Sequence, residues 1–125
     1  MDIQKVLIAD DEKHIREILK MYCEKEGFDV IEAADGAEAI LKVQSEKPDI
    51  LILDIMMPVM DGLEATRRIR TCTHPRGATV PIIAISANAF ADDIQKAKNA
   101  GMNEHLAKPF EMEKVLRAIS RYHKV

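Results

Sequence analysis

Cysteine is scarce in this chain: Cys23 and Cys72 are the only two among 125 residues. They form no CxxC pair and have no histidine at ligand spacing, which argues against a zinc module or a disulfide framework. Two reduced thiols that pack as small hydrophobes are expected instead. No apolar run approaches the roughly 18 residues that a membrane-spanning helix needs. The N-terminal Met1-Asp2-Ile3-Gln4-Lys5 has neither the positive flank nor the apolar core of a signal peptide, so a cytoplasmic protein without membrane association is expected. Positive charge is not in excess either. The net charge is −3 and no basic run occurs, which speaks against direct nucleic-acid binding. Internal repeats, low-complexity tracts and linkers are missing too. What remains, 47% hydrophobic and 31% charged residues, is the balance of an ordinary globule, and the length fits one domain spanning residues 1–125.

Four short apolar runs stand out: Val6-Leu7-Ile8-Ala9, Ile50-Leu51-Ile52-Leu53, Ile82-Ile83-Ala84-Ile85 and a weaker Leu106-Ala107. The first three are continuous, as strands buried on both faces of a parallel sheet are. Phe28-Asp29-Val30-Ile31 is broken by a charge, which suits an edge strand. Between the runs lie helical spacings. Ile15, Ile18, Leu19 and Tyr22 form one stripe, followed by Ala37, Ile40 and Leu41, by Leu63, Thr66 and Ile69, by Ile94 and Ala97, and by Met112, Val115, Leu116 and Ile119. Gly27 and Gly101 sit where helix C-caps belong, and Pro48 and Pro81 stand just before strands. Thr71 to Val80, with Pro75 and Gly77, reads as a surface loop. Strand and helix thus alternate five times. That order predicts an α/β fold with a parallel sheet and helices on both faces, because each crossover must carry the chain back.

The polar residues that follow the strands are the informative ones. Asp10 and Asp11 follow the first run, Asp54 the third strand, Ser86 the fourth, and Lys108-Pro109 the fifth. Singly, each has a plain reading: Asp11 as a helix cap, Asp54 as turn chemistry, Ser86 as a polar strand end, Lys108 as a solvated charge. His14, His74, His105 and His123 show no ligand spacing, and packing is the default for each. Jointly, the five polar groups fall at carboxyl ends of strands, where open parallel sheets bind ligands. Three carboxylates gathered there cannot all stay ionised unaided, so a proton or a cation is implied. Oxygen donors without imidazole or thiolate favour Mg²⁺ or Mn²⁺. Such a cation can bring a phosphoryl donor to a carboxylate nucleophile, with Lys108 and the Ser86 hydroxyl holding further phosphoryl oxygens.

These residues resemble a two-component response-regulator receiver domain over essentially the whole chain. The resemblance is carried by Ile8-Ala9-Asp10-Asp11-Glu12, by Leu53-Asp54-Ile55-Met56-Met57-Pro58-Val59-Met60-Asp61-Gly62, by Ile85-Ser86-Ala87 and by Ala107-Lys108-Pro109-Phe110. It implies a five-stranded flavodoxin-like sheet of order 2-1-3-4-5. It also implies that Asp54 is the phosphoacceptor, with Asp11, Asp54 and the Met56 carbonyl on Mg²⁺ and Asp10 acting through water. Ser86 and Lys108 would bind the phosphoryl group, and Lys108-Pro109 would be cis. The implied donor is a phosphohistidine on a histidine kinase or a histidine phosphotransfer protein; the implied product is a changed surface for an output partner that the sequence does not name. The domain would be regulatory and no enzyme in its own right, though it assists its own phosphorylation and dephosphorylation.

His105 departs from the family pattern, which places Tyr or Phe three residues before the lysine as part of the switch. A polar, chargeable ring there makes the inward state less secure. The segments around Ser86 and from Gly101 to His105 resemble receivers of hybrid kinases and phosphorelays, and Met56 and Asn88 occupy positions that tune dephosphorylation. A haloacid-dehalogenase-like phosphatase would need an Asp two residues after the nucleophile, where this chain has Met56. A flavodoxin or Rossmann nucleotide site would need glycines where this chain has Asp10-Asp11-Glu12. A receiver that docks without being phosphorylated would be expected to lack part of the acidic pocket, and no part is missing.

Overall fold

The computed structural model describes residues 3–72, 77–87 and 91–122. His74, Pro75, Asn88 and His123 lie outside the described residues. The elements alternate as β1 (Lys5–Ala9), α1 (Lys13–Lys25), β2 (Asp29–Ala33), α2 (Gly36–Glu46), β3 (Ile50–Asp54), α3 (Gly62–Thr71), β4 (Ile82–Ser86), α4 (Ala91–Ala100), β5 (Glu104–Ala107) and α5 (Met112–Tyr122). The five strands form one sheet of order β2-β1-β3-β4-β5, and all neighbouring pairs are parallel. That is the order implied by the resemblance. The register aligns Ala9 with Leu53 and Ser86 with Ala107, so these strands end at one level.

The three central strands are apolar on both faces because both faces are covered. Leu7, Leu51, Leu53 and Ala84 pack with Val43 of α2, Ile69 of α3 and Ala97 of α4. Val6, Ile50, Ile52, Ile83 and Ile85 pack on the other side with Leu19 and Cys23 of α1 and Val115 and Ile119 of α5. Each fully buried Leu or Ile contributes about 1.5–3 kcal/mol by leaving water. The expected edge strand lies at an edge but is displaced, running from Asp29 to Ala33 rather than from Phe28 to Ile31. Two helical stripes are rotated from their expected phase. In α1 the inward line is Ile15, Leu19 and Cys23, and Tyr22 is exposed; in α2 it is Ala39 and Val43, and Leu41 is exposed.

Helix ends follow local chemistry. Asp35 and Asp61 cap α2 and α3 by accepting the amides of Glu38 and Glu64, each at 2.8 Å. Gly27 and Gly101 take positive φ after α1 and α4, as their placement in the sequence implied. The α2 helix instead stops at Lys47, which enters the left-handed region without a glycine. Arg70 ties the end of the sheet away from the strands' carboxyl ends. Its guanidinium donates to the carbonyls of Gly77, Val80 and Gly101 and to Asn103 Oδ1 at 2.6–3.1 Å.

None of the described helices is long and apolar enough to cross a membrane.

Candidate functional site

Asp10 is the first residue beyond β1 and Asp54 is the last residue of β3, so the pairing of these strands sets the two carboxylates side by side. Both are almost wholly buried, at 1% and 3% exposure. Lys108 follows β5, and its amide donates to the Ser86 carbonyl at 2.8 Å, which holds the start of the lysine against the end of β4. From there its side chain crosses the mouth of the sheet. Its Nζ donates to Asp54 Oδ2 at 3.1 Å and lies 3.0 Å from Asp10 Oδ2. The second contact is an ion pair, and among the described residues no hydrogen-bond donor meets the buried Asp10 Oδ2 in good geometry. The Lys108-Pro109 peptide is cis, as the resemblance implied.

The electrostatics follow from this crowding. Burial pushes the Asp54 carboxyl up to about 6, and the neighbouring Asp10 charge adds to the rise; Lys108 and the Met56 amide, which donates to Asp54 Oδ1 at 3.2 Å, offset part of it. Burial pulls the Lys108 ammonium down, but its contacts with Asp10 and Asp54 outweigh that, so its pKa is raised. Lys108 therefore stays charged and Asp54 is unusually willing to take a proton.

Asp11 does not cap α1. The N-cap residue is Glu12, which makes no side-chain cap bond, and it is Asp10 Oδ1 that accepts the Glu12 amide at 2.9 Å. Asp11 is free of that duty and joins Asp10 and Glu12 in a trio whose carboxylate oxygens lie within 4.8 Å of one another. Glu12 also comes to 4.0 Å from Lys108 Nζ. Its place in the cluster was not anticipated, although a third consecutive acid was the available signal. An all-oxygen donor set that includes a buried carboxylate oxygen held by an ion pair alone suits a small divalent cation, which supplies the charge that Lys108 alone cannot. The residues present fit Mg²⁺.

The other expected site residues take the following places. Ser86 is buried at the end of β4, opposite Ala107. The Met56 side chain is exposed while its backbone faces Asp54. His105 stands on β5 opposite Ala84, half-buried, with Nε2 enclosed and without a hydrogen-bond partner among the described residues.

The loop from Ile55 to Asp61 is pinned at both ends. The Gly62 amide donates to the Ile55 carbonyl at 2.9 Å, and the Gly36 amide to the Met60 carbonyl at 3.0 Å. A Cβ at either glycine would overlap backbone, that of Asp54 for Gly62 and that of Met60 for Gly36. Between these pins Val59 takes φ 66, and the Met60 amide donates to the Pro58 carbonyl at 2.7 Å, closing a γ-turn on a β-branched residue. Cys23, by contrast, is a packed thiol whose burial pushes it up to about 12.

A family model described as the response regulator receiver domain matches residues 6–120. Sporulation initiation phosphotransferase F of Bacillus subtilis is 34% identical over 119 residues, which is 95% of this chain and 93% of that protein. Sensor protein EvgS of Escherichia coli O157:H7 is 39% identical over 120 residues, 96% of this chain, and the chain spans only 10% of EvgS. Among solved structures, the receiver domain of the sensor histidine kinase PA1611 from Pseudomonas aeruginosa, described with a magnesium ion coordinated in its active-site cleft, superposes with a TM-score of 0.86 at 34% identity. That match covers 95% of this chain and 96% of the other.

Proposed function

The chain belongs to the response regulator receiver domains, the phosphorylation-dependent regulatory switches of two-component systems, and from that premise we propose that Asp54 is its phosphoacceptor. The observation that carries this reading is Lys108 Nζ held between two buried carboxylates, Asp10 and Asp54, where strands β1 and β3 end. A carboxylate so placed is almost wholly withdrawn from water. The lysine beside it is positioned to neutralise a phosphoryl oxygen.

Receivers of this family bind Mg²⁺ at their active site. In this chain Asp11, Asp54 and the Met56 carbonyl would hold it directly, with Asp10 acting through water; Mn²⁺ would substitute, since both prefer carboxylate and carbonyl oxygen. When bound, the cation offsets the negative charge that an incoming phosphoryl group brings to an already acidic pocket. The protein's own residues do the rest. Asp54 Oδ attacks the phosphorus, the bond from phosphorus to the donor imidazole breaks, and the electron pair returns to that ring. Lys108 and the Ser86 hydroxyl stabilise the transferred group. The donor is a phosphohistidine of a histidine kinase or phosphotransfer protein, the partners with which receiver domains interact. Water later removes the group from Asp54, assisted by the same pocket, so the domain acts as a timed switch rather than as a turnover enzyme. His105, half-buried beside β4, is the residue through which the occupied site alters the surface of α4, β5 and α5 for an output partner.

Incubation with Mg²⁺ and acetyl phosphate is expected to add one phosphoryl group by intact mass, and none when EDTA replaces Mg²⁺. An adduct that forms equally well with EDTA would refute the cation's part in this reading.

A further inference from the structure

Asp10 is held by more than the site it serves. Its amide donates to the Ala33 carbonyl at 3.1 Å, and its Oδ1 accepts the Glu12 amide at 2.9 Å. Its carbonyl oxygen accepts Arg16 Nη1 at 2.6 Å. Arg16, on α1, is only 15% exposed, and its Nε donates to Glu32 Oε1 at 3.3 Å. The second oxygen of Glu32 lies 3.7 Å from Lys20 Nζ. Glu32 stands opposite Ile8 in the register of β1 and β2, so the anchor for the guanidinium belongs to the sheet itself.

We infer that Arg16 is a positioning residue for the cation end of the site. It locks the peptide between Asp10 and Asp11, so that the two carboxylates face one cation instead of splaying apart. The inference rests on the reading that these acids hold Mg²⁺. Mutual repulsion drives the exposed Asp11 and Glu12 away from Asp10, and α1 has no side-chain N-cap bond to fix the chain there. The fork of Arg16 adds a restraint to the bond between Asp10 Oδ1 and the Glu12 amide: one arm grips the strand-end carbonyl while the other is braced on Glu32. Lysine at this position keeps the charge but cannot hold both partners in one plane. Arg16 grips the Asp10 backbone carbonyl and Glu32, so it acts on the cation site through the placement of Asp10 and Asp11.

The test uses the whole chain and Mg²⁺ alone, titrated against amide NMR shifts of Asp11 and Asp54 in wild type, Arg16→Gln, Arg16→Lys and Glu32→Gln. Acetyl phosphate then gives the phosphorylation rate at saturating Mg²⁺ for the same proteins. Arg16→Gln is expected to raise the half-saturating Mg²⁺ concentration roughly tenfold, the low end for partners that orient metal ligands. Glu32→Gln is expected to raise it less, Arg16→Lys to recover under half of the loss, and a protein carrying both Arg16→Gln and Glu32→Gln to match Arg16→Gln alone. The rate at saturating Mg²⁺ should fall by less than the half-saturation rises, a division that a merely structural arginine would not produce. Wild-type half-saturation in Glu32→Gln and Arg16→Lys, both of which keep the local packing, would overturn the inference even if Arg16→Gln failed to fold. Failure of the wild type to bind Mg²⁺ would overturn the functional reading and this inference with it.

Discussion

Replacing Asp54 by asparagine should stabilise the fold in the absence of divalent cations, by an amount that depends on pH in a defined direction. The Asp54 carboxyl is raised from 3.8 to about 6 by burial and by Asp10. At about 1.4 kcal/mol per pH unit, the ionised form costs the folded state roughly 3 kcal/mol. Solvent screening reduces this little, because the residue is 3% exposed. Below about pH 4 both folded and unfolded chains carry the proton and there is no cost. Between about pH 4 and 6 the unfolded chain ionises first, so stability falls as pH rises, and above about pH 6 the loss is complete. Asparagine mimics the neutral carboxyl and keeps an acceptor for Lys108. Asp54→Asn should therefore gain about 2–3 kcal/mol at about pH 7.5 in EDTA, or roughly 10 °C in Tm for a domain of this size. The gain should shrink through about pH 5 and vanish near about pH 4. Urea titrations followed by far-UV circular dichroism measure it, since the chain has no tryptophan. A variant no more stable than wild type at the higher pH, or an advantage that grows as pH falls, would refute the reasoning.

Further expectations concern the frame around the site. Gly62→Ala, whose Cβ would overlap the Asp54 carbonyl, should cost about 1–3 kcal/mol and slow phosphorylation by acetyl phosphate, because the strand end carrying the carboxylate must shift; a wild-type rate would contradict this. Arg70→Ala leaves the carbonyls of Gly77, Val80 and Gly101 short of a donor and should cost about 3 kcal/mol in urea unfolding, with Mg²⁺ half-saturation unchanged. Val59→Gly relieves a positive φ on a β-branched residue and should raise stability by about 0.5–1 kcal/mol, read as a higher urea midpoint.

Much of this architecture is written locally. Val6 to Ala9, Ile50 to Leu53 and Ile82 to Ile85 are apolar at every position because helices cover both faces, and that continuity is visible in the chain. The polar residues just beyond those runs were equally legible, since only a strand end can carry Asp54 or Ser86 in such company. The phase of α1 and α2 was not. Tyr22 and Leu41 look like core residues on a helical wheel, but Cys23 and Ala39 fit closer to the sheet, and interhelical space decides that. The stop at Lys47 and the γ-turn at Val59 depend on how the chain must leave a helix or pass Gly36, constraints imposed from elsewhere in the fold. Arg16 and Glu12 were passed over for the same reason: their roles depend on β2 lying beside β1 and on Lys108 reaching across from β5.

Trapping the phosphorylated side chain tests the central claim most directly. After treatment with Mg²⁺ and acetyl phosphate, borohydride reduction converts an aspartyl phosphate to homoserine, and peptide mass spectrometry locates the change. Homoserine at position 54 and nowhere else is the expected result. Its appearance at Asp10 or Asp11, or at no aspartate at all, would contradict the account.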